Sequence, residues 1–356
     1  MVVISLLLAL CMIASVCASY IPPGKAWPIA FFGLAFIPLF IINLSVFIFW
    51  VLVRIRYSSI PFIALLISSP VFFNVFAFHF SNSKVSETRG IKLMSYNVRN
   101  FDLYNWEHNR DTKSSIYKMM VDIQPDILCF QEFYSSDKDK GWTNERDISK
   151  LLKLPDHYFS ISNTVNKFNH WGLCTYSRYP IIASGTVGKR GVNINACIYT
   201  DIKTQSGVIR VYNVHLQSFH LNYKDYETIG FENNEGLNID AGKSIFSKMK
   251  KTYITKGAQV QVIAEHIRSS PYPVFICGDF NDTPSSFSYN LLRENLNDAF
   301  LENSWGIGYT YDYWLPGFRI DYLLIDQRWK STGFKVIDKN LSDHFPVMCT
   351  ISLNTE

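Results

Sequence analysis

Beyond residue 90, polar side chains recur where apolar, strand-like runs end. Ile91–Val98 carries Asn97 near its end, Ile127–Gln131 is followed by Glu132, and Val208–Val214 by His215. Val274–Cys277 runs into Gly278-Asp279-Phe280-Asn281-Asp282, Arg319-Ile320 precedes Asp321, and Ser342-Asp343-His344 precedes the last apolar run. A strand holds such a side chain rigidly, and six placements of this kind imply one shared site of carboxylates, two amides and two imidazoles. These types suit hydrolysis of a phosphate ester assisted by a hard cation. Mg²⁺ takes a few carboxylates together with waters and phosphate oxygens, and needs neither Cys nor several His. Such a cation polarises the phosphoryl oxygen and offsets charge on the leaving group. A further carboxylate can deprotonate water, while an amide and an imidazole bind phosphoryl oxygens. A zinc protease or a nucleotide P-loop is not indicated, because neither His-Glu-x-x-His nor Gly-x4-Gly-Lys-Ser/Thr occurs.

Each residue also has an ordinary use. A carboxylate after a strand often caps a helix or forms a turn, the reading that suits Asp282 before Thr283-Pro284. Asn97, Asp321 and His215, taken singly, are as readily structural as functional. His157, His170, His220 and His266 have no motif context and read as surface or satisfied histidines.

The elements that must position these residues alternate. Strands are expected at Ile91–Val98, Ile127–Gln131, Leu173–Tyr176, Ala196–Thr200, Val208–His215, Val274–Cys277, Ile320–Ile325 and Val347–Leu353. Helices are expected at Ser114–Val121, Ala241–Ile267 and Ser285–Leu292. This mixed order, with hairpin-like neighbours, predicts an α/β sandwich and not a doubly wound parallel sheet. Ser218–Asp240 lacks a pattern and reads as a long loop, of a length that is either functional or a surface insertion.

The first 83 residues are of another kind, with Lys25, Arg54 and Arg56 as their only formal charges. Three apolar runs, Val2–Tyr20, Trp27–Val53 and Ile60–Phe80, approach or exceed the ~20 residues a helix needs to cross a bilayer. The expected organisation is a transmembrane anchor over 1–83, with spans near 2–20, 27–53 and 60–80, a polar linker at 84–90, and a domain over 91–356. Val16-Cys17-Ala18 would serve as a signal-peptide cleavage site, but no Lys or Arg precedes the first run. Arg54 and Arg56 form the most basic connection between the runs. The positive-inside tendency puts them in the cytoplasm and the domain on the other side, with Lys84, Arg89 and Lys92 opposing.

The whole chain has 34 Lys+Arg and 30 Asp+Glu, with 48% hydrophobic residues, which excludes a disordered tail and a strongly basic nucleic-acid coat. Without the three N-terminal charges the domain keeps 31 basic and 30 acidic residues. That balance gives no support for a basic groove, and the one local cluster singled out, Lys248-Met249-Lys250-Lys251, reads as a solvated helix face. Cys129, Cys197, Cys277 and Cys349 lie in apolar runs and read as core residues, not disulfides.

The segments MSYNVRNFD (94–102), DILCFQE (126–132), WGLCTYSRYPI (171–181), VYNVHL (211–216), CGDFND (277–282), RIDYLLID (319–326) and LSDHFPV (341–347) resemble the endonuclease/exonuclease/phosphatase family. The resemblance follows the family's motif order over about residues 90–354, most specifically at GDFN and SDH. It implies a deoxyribonuclease I-like four-layer α/β/β/α sandwich with the site at the common end of two sheets. It further implies Glu132 as the principal Mg²⁺ ligand (Mn²⁺ being an alternative), with Asn97 beside it and Asp343 near the metal. Asp279 would deprotonate water, Asn281 and His215 would contact the phosphoryl group, His344 would stabilise its oxygens, and Asp321 would orient His344. Arg319 is a candidate substrate contact.

The resulting expectation is a membrane-anchored, metal-dependent phosphoesterase. A nuclease and a non-catalytic membrane-held binding module of the same fold are the alternatives. Whether the ester belongs to a lipid or a nucleic acid is left open, and no protein partner is inferable. The aromatic stretches Trp305–Trp314 and Tyr223–Tyr226 would suit a membrane surface or base stacking.

Overall fold

The computed structural model describes residues 1–79, 90–188, 196–219, 239–312 and 318–353. All of the linker expected at 84–90 except Gly90, most of the loop expected at 218–240, and Tyr223–Tyr226 lie outside the described residues. The chain divides into two compact units, and the first is discontinuous, gathering residues 1–73, 216–261 and 283–291.

Its helices are α1 (Val2–Ala18), α2 (Pro23–Leu34), α3 (Phe36–Val53), α4 (Ser59–Val75), which extends into the second unit, and the N-terminal part of α7 (Ile239–Arg268). The buried residues of α1 are mostly small, at Ser5, Ala9, Ser15 and Ala18, and small side chains let helices approach closely. Polar groups then join them, since Trp50 Nε1 donates to Ser5 Oγ at 2.8 Å and Asn43 Nδ2 to Leu8 O at 3.2 Å. The α2 helix docks on α7, with Phe31 stacked on Phe246 at 4.8 Å and edge-on to Tyr253 at 5.3 Å.

Of the three spanning helices expected, the count of three is not supported. Two helical stretches, Phe36–Val53 and Ile55–Val75, are long and apolar enough to cross a membrane by length and composition. The run Trp27–Val53 is not continuous, because α2 gives way to α3 at Ala35 (φ −86°, ψ 11°), with Pro38 tolerated in the first turn of α3. The first run makes a helix of 17 residues, and the third stops at Val75, where a short strand, β1 (Ala77–Phe78), begins.

The second unit holds two six-stranded sheets. One has the order β13 (Trp329–Val336), β14 (Val347–Leu353), β2 (Ile91–Asn97), β3 (Ile127–Ser136), β5 (Asn169–Ser177), β4 (Asp156–Val165). The other runs β10 (Leu296–Asp298), β12 (Asp321–Asp326), β9 (Val274–Asp279), β8 (Gly207–His215), β7 (Cys197–Thr204), β6 (Ile181–Thr186). Both are mixed, with β2–β3 and β8–β9 parallel. Leu93, Ile127 and Cys129 of the first sheet share one apolar core with Val211, Phe275, Cys277 and Leu323 of the second. The outer face of the first sheet, through Met94, Leu128 and Phe130, is covered by α5 (Thr112–Ile123) and α6 (Asn144–Leu152). Strands buried on both faces have to be near-continuous apolar runs, which is how β2, β3 and β9 read. On the outer face of the second sheet, His266 at the end of α7 bonds Tyr212 Oη at 2.9 Å. Cys129, Cys174, Cys197, Cys277 and Cys349 are buried free thiols, as packing residues in such strands would be.

Candidate functional site

Strand register alone brings the motif residues to one end of the second unit. Asn97 pairs with Gln131 at the ends of parallel β2 and β3, His215 with Asp279 at the ends of parallel β8 and β9, and Asp321 with Asp279 where antiparallel β12 begins. Glu132 has φ +48° and falls where the β3–β5 register shifts between Phe130 and Phe133. A bulge of this kind re-aims a side chain that regular alternation would send elsewhere. Gly278 is required by close approach, for a Cβ there would lie 1.9 Å from Val214 O, and its φ of +149° is disfavoured for other residues.

Asp279, fully buried, is the hub. Its Oδ2 accepts from Asn97 Nδ2 at 3.1 Å and Asn281 Nδ2 at 3.0 Å, and its Oδ1 accepts from the Asn281 backbone N–H at 2.7 Å. His215 Nε2 and His344 Nε2 each lie 3.6 Å from the same Oδ2. Asn97 Nδ2 also reaches Glu132 Oε1 at 3.3 Å, and His215 Nε2 is 3.8 Å from that oxygen. His215 Nε2 is buried with no hydrogen-bond partner among the described residues, so a polar atom faces both carboxylates without an acceptor at bonding distance. His344 Nδ1 is held by Asp321 Oδ2 at 3.0 Å, which fixes the ring and leaves Nε2 directed at the hub.

Burial pushes the Asp321 carboxyl up to about 6, an effect that His344 opposes and Asp279 reinforces. For His344 burial favours the neutral ring, yet the carboxylates of Asp321 and Asp279 outweigh it and hold the imidazole well above the usual histidine range. Near neutral pH the pair is therefore imidazolium and carboxylate. Ligand atoms of Asp279, Asp321 and His344 lie within 4.8 Å of one another, a spacing that a metal could bridge. The same geometry, with Nδ1 bonded to Asp321 and Nε2 facing Asp279, can instead hold a proton. The exposed end of the cluster is different. The Glu132 side chain is 36% exposed, presenting carboxylate oxygen to solvent beside Asn97, which suits a hard cation.

Seven of the nine residues expected from the sequence thus meet: Asn97, Glu132, His215, Asp279, Asn281, Asp321 and His344. Asp343 stands beside them with its carboxylate turned to Ser342 Oγ (3.2 Å) and Arg99 Nε (3.5 Å), and no described bond joins it to Glu132. The expectation for Arg319 is corrected. Its guanidinium is buried, ion-paired to Asp298 at 2.6 Å, donates to Asn74 O at 2.6 Å and lies over the Phe300 ring, so it ties elements together and does not face a substrate. His157 and His170 are paired with Glu145 and Asp137, as satisfied histidines should be, while His220 is outside the described residues.

Other residues supporting the site were not expected from the sequence, although Arg99, Gln131 and Asn213 lie inside the motif segments. Thr310, fully buried, accepts at Oγ1 from the backbone N–H groups of Ile320 and Asp321, both at 3.0 Å, fixing where β12 starts. Gln131 Nε2 donates to Asn213 Oδ1 at 2.7 Å, and Asn213 Nδ2 to Phe130 O and Cys174 O, bridging the two sheets beneath the cluster. Their neighbours Glu132 and His215 were legible. A buried amide inside an apolar strand was the available clue. Arg99, beside Asp343, opens a run of positive φ through Asp102, unusual for non-glycine residues and found where a site imposes it.

A family model described as Endonuclease/Exonuclease/phosphatase family matches residues 94–344, and a second, described as a domain of unknown function, matches residues 1–75. No curated protein matches the chain. Among solved structures it is similar to an endonuclease/exonuclease/phosphatase family protein from Bacteroides thetaiotaomicron (15% identity, TM-score 0.53, 75% of this chain and 98% of that one). It is also similar to one from Leptotrichia buccalis (19%, 0.52, 74% and 100%) and to the human Nocturnin catalytic domain with bound sulfate (16%, 0.51, 74% and 94%). At these identities the structures support the fold alone. The family model covers well over half of the chain, whose motifs converge on one buried carboxylate: the chain belongs to the endonuclease/exonuclease/phosphatase family.

Proposed function

We propose that this chain is a membrane-anchored phosphoesterase that hydrolyses a phosphodiester or phosphomonoester bond by in-line attack of an activated water. The observation that carries the reading is the convergence on Asp279 Oδ2 of two amides and two imidazoles, with the partnerless His215 Nε2 between Asp279 and Glu132. Asp279 takes the proton of the attacking water, and its bonds from Asn97 and Asn281 keep the receiving oxygen in place. Asn281 and His215 hold phosphoryl oxygens, and His344, protonated and braced by Asp321, donates from Nε2 to the oxygens that gain charge.

Glu132, with Asn97 and Asp343 near it, would hold a divalent cation, Mg²⁺ or Mn²⁺. When bound, the cation would neutralise charge on the phosphoryl and leaving-group oxygens. The helices Phe36–Val53 and Ile55–Val75 would anchor the chain, and Arg54 and Arg56 in the turn between them favour the cytoplasm for that turn, leaving the catalytic unit outside it.

The test is hydrolysis by the full chain in detergent of plasmid DNA, RNA, phospholipids and soluble nitrophenyl phosphates, with Mg²⁺, Mn²⁺ or chelator, against Asp279→Asn. Activity on one class that needs metal and is absent in the variant is the expected result. Activity on DNA or RNA that falls steeply with salt would move the reading to a nuclease. No turnover of any ester by folded, metal-binding protein would overturn it.

A further inference from the structure

The segment 304–311, bent at Ile307 and with positive φ at Gly306 and Gly308, turns its large apolar side chains to the surface. These are Trp305 (51% exposed), Ile307 (41%) and Tyr309 (47%). Strand β1 extends the patch, because Phe78, itself 47% exposed, pairs in register with Trp305 of β11 (Trp305–Gly306), and Phe76 lies edge-on to the same indole at 5.4 Å. Residues 74–79 and 303–311 contain no Asp, Glu, Lys or Arg. The patch is therefore apolar, aromatic and uncharged over two neighbouring strands, the composition of a contact surface.

Chain continuity says what that surface meets. The apolar helix ends at Val75, and Phe78 follows by three residues, which reach ~10 Å at most. If that helix crosses a bilayer, the ribbon is held at the level where it emerges, the zone in which Trp and Tyr are enriched. The other end of the segment leads to the site. Tyr309 packs edge-on against Phe345 at 5.6 Å, and Tyr311 pairs with His344, their rings 4.8 Å apart.

We infer that the Phe78, Trp305, Ile307 and Tyr309 ribbon rests on the lipid bilayer and presents the His344 side of the site to it, so that the ester attacked is the phosphate of an amphiphile held in the membrane. The substrate half of this inference rests on the phosphoesterase reading, and the surface half does not.

The full chain is placed in phosphatidylcholine vesicles with brominated or ordinary acyl chains, and Trp305 emission is taken as the difference between wild type and Trp305→Phe. Quenching of that component by brominated lipid is expected. An unchanged component, or one that responds to a single-stranded oligonucleotide in place of lipid, overturns the surface. A Trp305→Ser, Ile307→Ser protein should then lose about tenfold in hydrolysis of a vesicle-embedded phosphodiester, with a soluble nitrophenyl phosphodiester unaffected. Equal loss on both overturns the membrane-held substrate. Quenching without turnover of any ester would uphold the surface while the phosphoesterase reading fails.

Discussion

Asp279 has no exposure and shares its Oδ2 among Asn97, Asn281, His215 and His344, so an amide in its place would keep the shape while losing the carboxylate at the centre of the cluster. Asp279→Asn should lower kcat by at least ~10²–10⁴, the range for a removed general base, with thermal unfolding little changed. A variant that keeps wild-type kcat would remove Asp279 from that role. Glu132→Ala should instead raise the metal concentration needed for half-maximal rate, and an unchanged metal titration would show that Glu132 does not bind the cation. The proton on His344 can be followed by pH. Its pKa is raised in the folded state, so imidazolium survives past the ordinary histidine range and is lost only as pH climbs through the higher value. An activity that needs imidazolium is full below that value and falls above it. Asp321→Asn removes an attraction that raises the pKa, so the alkaline limb of kcat against pH should move to lower pH. A limb that stays in place would mean that another group sets it.

At the scale of elements, Arg319 acts as a joint. From two positions before β12 it links the N-cap carboxylate of the helix Ala299–Asn303 to the carbonyl of Asn74 in the last turn of α4. Removing one partner of a buried ion pair leaves the other charge uncompensated, so Arg319→Ala should cost about 3–5 kcal/mol of stability. KM for any soluble ester should move little, as measured by unfolding midpoints beside kinetics, whereas a raised KM at unchanged stability would restore Arg319 as a substrate contact. The sequence reads Arg319 as functional because it stands in the RID motif, and spacing alone cannot say which way a side chain turns. The same boundary separates the elements that were legible from those that were not. The central strands β2, β3, β8, β9 and β12 have apolar runs because both faces are covered. The strands β4, β6, β10 and β13, for which no strand was expected, are the sheet edges. The residues of β4 and β6 are half-buried or exposed throughout, so DHYFSISNTV and IIASGT carry no comparable apolar signal. The site was legible to the extent that its residues end central strands. Thr310 and the Gln131–Asn213 bridge were not, since their roles are backbone and cross-sheet bonds that only tertiary structure creates.

For the molecule as a whole, the N-terminal helices are expected from sequence to be a separable anchor, yet the first compact unit also takes in 216–261 and 283–291. Within it Trp27 and Phe31 pack on Phe246, Phe31 on Tyr253, and Lys250 lies 4.8 Å over the Trp27 ring. The backbone is engaged too, as Ser19 Oγ donates to Ser285 O at 2.9 Å and Ser285 Oγ to Gly33 O at 2.8 Å. Gly33 permits that approach, for a Cβ would fall 2.7 Å from that of Ala18 and 3.1 Å from Ser285 O. Cutting the chain after residue 79 would therefore do more than release a domain from a membrane. It would strip the aromatic face of α7, take the Ser19 donor from Ser285 O and leave Ser285 Oγ with Thr283 Oγ1 alone, six residues after Asp279 in the chain. Loss of ~4 kcal/mol of aromatic packing corresponds to a fall of about 10 °C in Tm for a domain of this size. Residues 80–356, compared with the full chain in the same detergent by calorimetry, should melt at least that much earlier or aggregate. The double variant Trp27→Ala, Phe31→Ala in the full chain should reproduce part of the loss without removing any helix. Equal Tm values for the truncated and full chains would show that the helices only tether the rest of the protein and contribute nothing to its stability.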